Sequence, residues 1–128
     1  MKFATLTVST LIVIAVLIPG SNIPDVDILG IDKLVHFIMF VCWTVAVRYD
    51  FNQKVFRYWL AFLCGVFFSL ATEIVQILVE GRTFDPYDVV ADLVGIIVGL
   101  MIGGWIVRIV NRESRIENDR ESKIENRK

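Results

Sequence analysis

The stretch Trp59-Leu-Ala-Phe-Leu-Cys64-Gly-Val-Phe-Phe-Ser69-Leu-Ala-Thr72-Glu73-Ile-Val-Gln76-Ile-Leu-Val79 is long enough to cross a bilayer as one helix and carries a single charged side chain. A spanning helix needs about 20 mostly apolar residues. Glu73 is the anomaly in it, because an ionised carboxylate at the bilayer centre costs about 3 kcal/mol or more. Both the fold and the candidate site follow from these two facts.

Outward from this stretch, three more apolar blocks appear. Phe3 to Ile18 is followed by Pro19-Gly20, Leu34 to Val47 is bounded by Asp32-Lys33 and Arg48-Tyr49, and Val89 to Val107 precedes a charged tail. The chain has 128 residues, 55% of them hydrophobic, with a mean hydropathy of +0.63. A soluble domain would interleave polar residues along each element, whereas here the apolar residues come in blocks. The pattern predicts an all-α membrane protein, a bundle of four transmembrane helices at about 3–19, 33–48, 59–79 and 87–107. Residues 1–107 form that domain and 108–128 a charged tail, read as a frayed helix or a disordered, flexible segment. The first block has the charge and apolar run of a secretory signal. It is long for one and lacks a small-residue cleavage site, so it is read as a retained helix.

Orientation comes from the basic residues. Lys2, Arg48, Lys54, Arg57 and the seven from Arg108 to Lys128 fall on one side of a four-span chain, leaving Lys33 and Arg82 for the other. That bias puts both termini in the cytoplasm and the segments 20–33 and 80–88 outside. The formal net charge of −1 gives no reason to expect a nucleic-acid partner. Cys42 and Cys64 sit singly within apolar runs and read as small buried hydrophobes. One histidine and no paired cysteines exclude a structural zinc site, and no metal ligand is assigned.

The ionisable residues gather at the outer helix ends. Asp32 and His36 are four apart at the start of the second helix, and Glu73 and Gln76 three apart near the end of the third, each pair on one helical face. Arg82 and Asp85 lie in the following connection, with Asp85-Pro86 reading as an N-cap and first helical residue. Asp88 and Asp92 continue the face of Asp85 into the fourth helix. Capping accounts for Asp32, and the helix dipole for Asp85 and Asp88. Neither accounts for His36, Glu73 or Asp92. The candidate binding set is therefore Asp32, Lys33, His36, Glu73, Gln76, Arg82, Asp85, Asp88 and Asp92, with His36, Glu73 and Asp88 as catalytic candidates. The competing reading is a structural polar network in which Arg82 neutralises Asp88 or Glu73. No cofactor is required, although the carboxylates form an oxygen-rich set of the kind that holds Mg2+ or Ca2+. Ala91, Gly95, Gly99 and Gly103 recur every fourth residue, a small-residue seam for close packing within the bundle or between two copies.

Asp32-Lys33-x-x-His36-Phe37, Glu73-x-x-Gln76, Gly81-Arg82-x-x-Asp85-x-x-Asp88 and Asp92-x-x-Gly95 resemble the VanZ-like family of small membrane proteins, from about Asp32 to Gly103. Thr72 and Asp92 depart from it, the family commonly having an acidic or amide residue and an asparagine there. Founding members lower susceptibility to the glycopeptide teicoplanin, so the resemblance implies a bacterial cytoplasmic membrane and an outward-facing site for a lipid-linked envelope component or a lipophilic glycopeptide. Two other classes stay open: a membrane-embedded hydrolase or transferase acting on a lipid phosphate or glycolipid, and a scaffold in a membrane protein complex.

Overall fold

The structure is a computed structural model, and it describes residues 3–19, 30–51 and 58–126. Lys2, Lys54, Arg57, Arg127, Lys128 and the segment 20–29 lie outside the described residues. Four helices make up the described chain, with no strand among these residues: α1 (Phe3–Val16), α2 (Ile31–Asp50), α3 (Tyr58–Ile77) and α4 (Pro86–Glu125). By length and composition, α3 and α4 are apolar enough to cross a membrane. α2 equals α3 in length but carries Asp32, Lys33, His36, Arg48 and Asp50. α1 is shorter, because Pro19 has no N–H to donate and disfavours helical backbone in the residue before it.

Local signals set the helix ends. α2 begins at Gly30, whose φ of 103° is a left-handed conformation that glycine adopts without strain. Asp32 is thus not the N-cap that its position suggested; it lies in the first turn, with its side chain largely exposed. Asp85 does cap α4: its Oδ1 accepts from the Tyr87 N–H at 2.8 Å, and Pro86 follows at the first helical position. The fourth helix does not end at 107. It runs on to Glu125, because the sequence from Trp105 onward contains neither glycine nor proline. Forty residues at about 1.5 Å each give roughly 60 Å, twice a hydrocarbon core of about 30 Å. The charged second half therefore extends beyond the depth a membrane helix needs.

α2 and α4 make the most extensive helix–helix contact. A Cβ on Gly95 would sit 2.5 Å from the Phe37 carbonyl oxygen, one on Gly99 2.7 Å from Thr44 Cβ, and one on Gly103 2.7 Å from Arg48 Cβ. The three glycines of the small-residue seam thus face α2 of the same chain. Around this pair, α1 and α3 add an apolar cluster of Ile12, Val16, Trp43, Val47 and Ala61. Trp43 stacks on Phe68 at 5.2 Å between ring centroids and donates its indole N–H to Ser9 Oγ at 2.9 Å. The N–H of Thr5 in the first turn of α1 donates to Asp50 Oδ2 at 2.7 Å, so a side chain from α2 satisfies a helix end. At this same end Arg48 is buried over the Tyr58 ring, 4.1 Å from its centroid.

Beside that apolar core, the interior holds many polar groups and the surface many large apolar ones, unlike a soluble bundle. His36, Thr44, Arg48, Ser69, Thr72, Glu73, Gln76, Asp88 and Asp92 are buried, whereas Phe67, Leu78 and Met101 are more than two-thirds exposed. Cys42 and Cys64 are exposed too, not buried as their apolar runs suggested. In hydrocarbon, an apolar side chain has no reason to prefer the inside.

Gly95 and Gly104 test the seam. A methyl at Gly95 meets backbone, so α2 and α4 must separate; at Gly104 it meets the movable Tyr58 hydroxyl at 2.6 Å. Gly95→Ala should lower stability by about 1–3 kcal/mol and Gly104→Ala by clearly less, read from detergent-solubilised unfolding curves.

Candidate functional site

Periodicity within each helix and the seam between helices build the site together. Ser69, Glu73 and Gln76 form one stripe near the end of α3, and Asp85, Asp88 and Asp92 another at the start of α4. Gly95 lies one turn below Asp92, and the close approach it permits is to the carbonyl of Phe37. His36, the neighbour of Phe37, is thereby set against Asp92.

The result is a buried polar cluster. His36 Nδ1 lies 3.1 Å from Asp92 Oδ1, and Ser69 Oγ donates to Asp92 Oδ2 at 2.6 Å. Asp92 is thus held from both sides, and with it ionised His36 carries its proton on Nδ1. The other ring nitrogen, Nε2, faces Asp88 Oδ2 at 3.9 Å. Glu73 is fully buried, with Oε1 3.8 Å from His36 Nδ1. Neither of its oxygens closes a full hydrogen bond among the described residues, although the Asp85 backbone acts on it as a donor. Gln76 is buried one turn beyond Glu73.

An ionic rim covers the cluster. Lys33 Nζ bridges Asp85 Oδ2 at 2.8 Å and Asp88 Oδ1 at 3.4 Å. Arg82 pairs at 3.7 Å with Asp32, and not with Asp88 or Glu73 as the network reading supposed. All nine candidate residues thus fall at one end of the bundle, but in two layers. His36, Glu73, Gln76, Asp88 and Asp92 form the interior, and Asp32, Lys33, Arg82 and Asp85 the mouth. Ser69, which the candidate set omitted, belongs to the interior; its signal was the spacing of four to Glu73 on an otherwise apolar helix.

The chemistry follows from the layers. A carboxylate-oriented imidazole can take or give a proton. Among the described residues of the site, the carboxyl groups of Asp32, Glu73, Asp85, Asp88 and Asp92 outnumber the basic groups of Lys33, Arg82 and His36. At the mouth, Lys33 holds the Asp85 carboxyl below the usual carboxylate range, helped by the Tyr87 N–H. The Asp85 pair therefore stabilises the fold above the ordinary aspartate pKa of about 4, and that contribution is lost as acid protonates the folded carboxylate. Asp85→Asn keeps the capping oxygen but not the charge. The variant should unfold more readily than the parent at pH 7, and the gap should close as the pH falls below about 4, as followed by helix content in detergent.

Known proteins give a family but little chemistry. A family model described as VanZ/LLP1 matches residues 2–108. An uncharacterised protein of the fission yeast Schizosaccharomyces pombe, C11E3.10, is 34% identical over 73 residues, covering 56% of this chain and 45% of the yeast protein. The chain thus spans less than half the length of that relative. No solved structure matches. The matched region contains every residue of the buried cluster and its rim, and the chain belongs to the VanZ/LLP1 family.

Proposed function

We propose that this protein crosses the membrane four times with both ends in the cytoplasm, and that its polar cluster, at outer headgroup depth, binds the head of a lipid-linked envelope component or a lipophilic glycopeptide such as teicoplanin. The observation that carries this reading is the convergence of His36, Glu73, Gln76, Asp88 and Asp92 inside an otherwise apolar bundle. Hydrocarbon offers these groups no partners, so they face each other or a bound molecule. The mouth suits an amphiphile. Lys33 and Arg82 offer charge for phosphate, the inner oxygens and Gln76 offer partners for sugar or amide groups, and the exposed apolar faces accept the lipid portion. The ion pairs at the mouth are partly exposed, and pairs of that kind are worth about 1 kcal/mol or less, so a ligand displaces them at low cost. The distribution of basic residues supports the orientation.

A second reading has its own observation. Asp92 orients the His36 ring through Nδ1, the arrangement of a general base. In a hydrolase or transferase acting on a lipid phosphate, His36 would take the proton from the attacking hydroxyl and Arg82 would stabilise charge.

Two experiments separate these readings. In a chain with Cys42 and Cys64 replaced by alanine, a cysteine at Thr83 should react with an impermeant maleimide from outside the cell and one at Glu113 should not. The reverse result overturns the orientation. In lipid nanodiscs, Lys33→Ala and Arg82→Ala should each weaken binding of a polyprenyl phosphate or of teicoplanin by about tenfold, the equivalent of 1.4 kcal/mol. Unchanged binding of both ligands in both variants sinks the binding reading. Product formation by the parent that disappears in His36→Ala, with binding retained, establishes the enzyme instead.

A further inference from the structure

We propose that His36, Glu73 and Asp92 hold a divalent transition-metal ion, so that the buried cluster is a metal centre rather than a hydrogen-bonded network. The proposal deepens the reading of the same site given above, yet it stands on different observations. The first is geometric. One ligand atom from each of His36, Glu73 and Asp92 can be chosen so that all lie within 4.8 Å of one another, and all three residues are buried. His36 Nδ1 is 3.1 Å from Asp92 Oδ1 and 3.8 Å from Glu73 Oε1. Donors about 2.0–2.2 Å from a tetrahedral ion stand about 3.3–3.6 Å apart, between those two separations. Small rotations would therefore seat an ion among them.

Glu73 supplies the second observation. Its carboxylate is fully buried, aimed at the imidazole, and completes no full hydrogen bond among the described residues. A buried carboxylate in that state either takes a proton or takes a cation. Either would offset the excess of Asp88 and Asp92 over His36, but only an ion would draw the Glu73 and Asp92 carboxylates and the imidazole onto one centre.

The surrounding groups match what metal ligands need. Ser69 holds the far oxygen of Asp92, fixing which oxygen faces inward. With Nδ1 on the ion, the opposite ring N–H points toward Asp88, 3.9 Å away, the partner that orients a ligating histidine. One imidazole nitrogen with carboxylate oxygens suits Mn2+ or Zn2+ better than Ca2+ or Mg2+, which prefer oxygen alone. This differs from the oxygen-only site that the sequence suggested, because the structure brings the histidine in. A second group, Asp32, His36 and Asp88, also comes close enough, but Asp32 is exposed and paired with Arg82.

The test uses the full chain without a histidine tag, carrying Cys42→Ala and Cys64→Ala so that exposed thiols bind no metal. After equilibration with micromolar Zn2+ or Mn2+ and gel filtration in detergent, the protein should retain about one ion per chain, and a chelator should remove it. X-ray absorption of the zinc form should show one imidazole nitrogen with oxygen donors. His36→Ala and Glu73→Gln should weaken binding by about 100-fold or more, and Ser69→Ala by about tenfold. Unchanged helix content in the variants shows that the loss is not unfolding. Retention of neither ion by the parent, or equal affinity in Glu73→Gln, overturns the proposal. Ion binding without amphiphile binding sinks only the ligand reading. Amphiphile binding by a chain that holds neither ion sinks only the metal centre.

Discussion

Two helix backbones in contact at Gly95 are what the rest of the structure depends on. In hydrocarbon no solvent satisfies a buried donor or acceptor, so polar side chains must reach one another across the interface between helices. Short side chains do that only when the helices approach closely. The missing Cβ at Gly95 lets α4 press against the Phe37 carbonyl, and the adjacent His36 then meets Asp92 at 3.1 Å. The same seam continues through Gly99 and Gly103 to the opposite end, where α2 delivers Arg48 over the Tyr58 ring. One packing device thus places both of the buried cations that α2 carries or can carry.

The two ends of the bundle differ in consequence. At one end Arg48 lies over the Tyr58 ring, and Asp50 accepts from the first turn of α1. Around His36, carboxylates are in excess. An excess of one sign in a low dielectric is expensive unless something outside the chain balances it. A proton, a metal ion and a cationic or hydrogen-bonding ligand are the three agents able to do so. The ionic rim of Lys33, Asp85, Arg82 and Asp32 lies where such an agent would enter, partly exposed and loosely held.

Much of this was legible in the chain, and the limits are instructive. His36, Glu73 and Asp92 stood out because neither capping nor the helix dipole explains an ionisable group a turn or more inside an apolar block. Their convergence was an expectation that the distances now make concrete. Arg82 was harder to place. A long side chain in a loop has several carboxylates within reach, and sequence spacing does not choose among them; the structure chose Asp32. The cysteines misled because burial was inferred from apolar surroundings, a rule that holds in water and fails where the solvent itself is apolar. The tail beyond 107, read as a frayed helix or a disordered segment, is helical to Glu125, because a change from apolar to charged residues marks the end of a membrane block, not of a helix. Glycine and proline are the strongest helix breakers, and that segment has neither.

What the sequence by itself determined was the number of helical blocks, the side of each helix on which its polar residues lie, and the end of the chain's helices at which they gather. These are properties of order along one chain, carried by hydropathy and by spacings of three and four. Tertiary structure alone decided which atoms meet: Asp92 between Ser69 and His36, Glu73 facing the imidazole without a full hydrogen bond among the described residues, and the seam glycines against α2. Such pairings depend on how each helix is rotated about its own axis and how near it lies to its neighbour. That rotation is set by packing across the interface, and spacing along a single helix does not encode it.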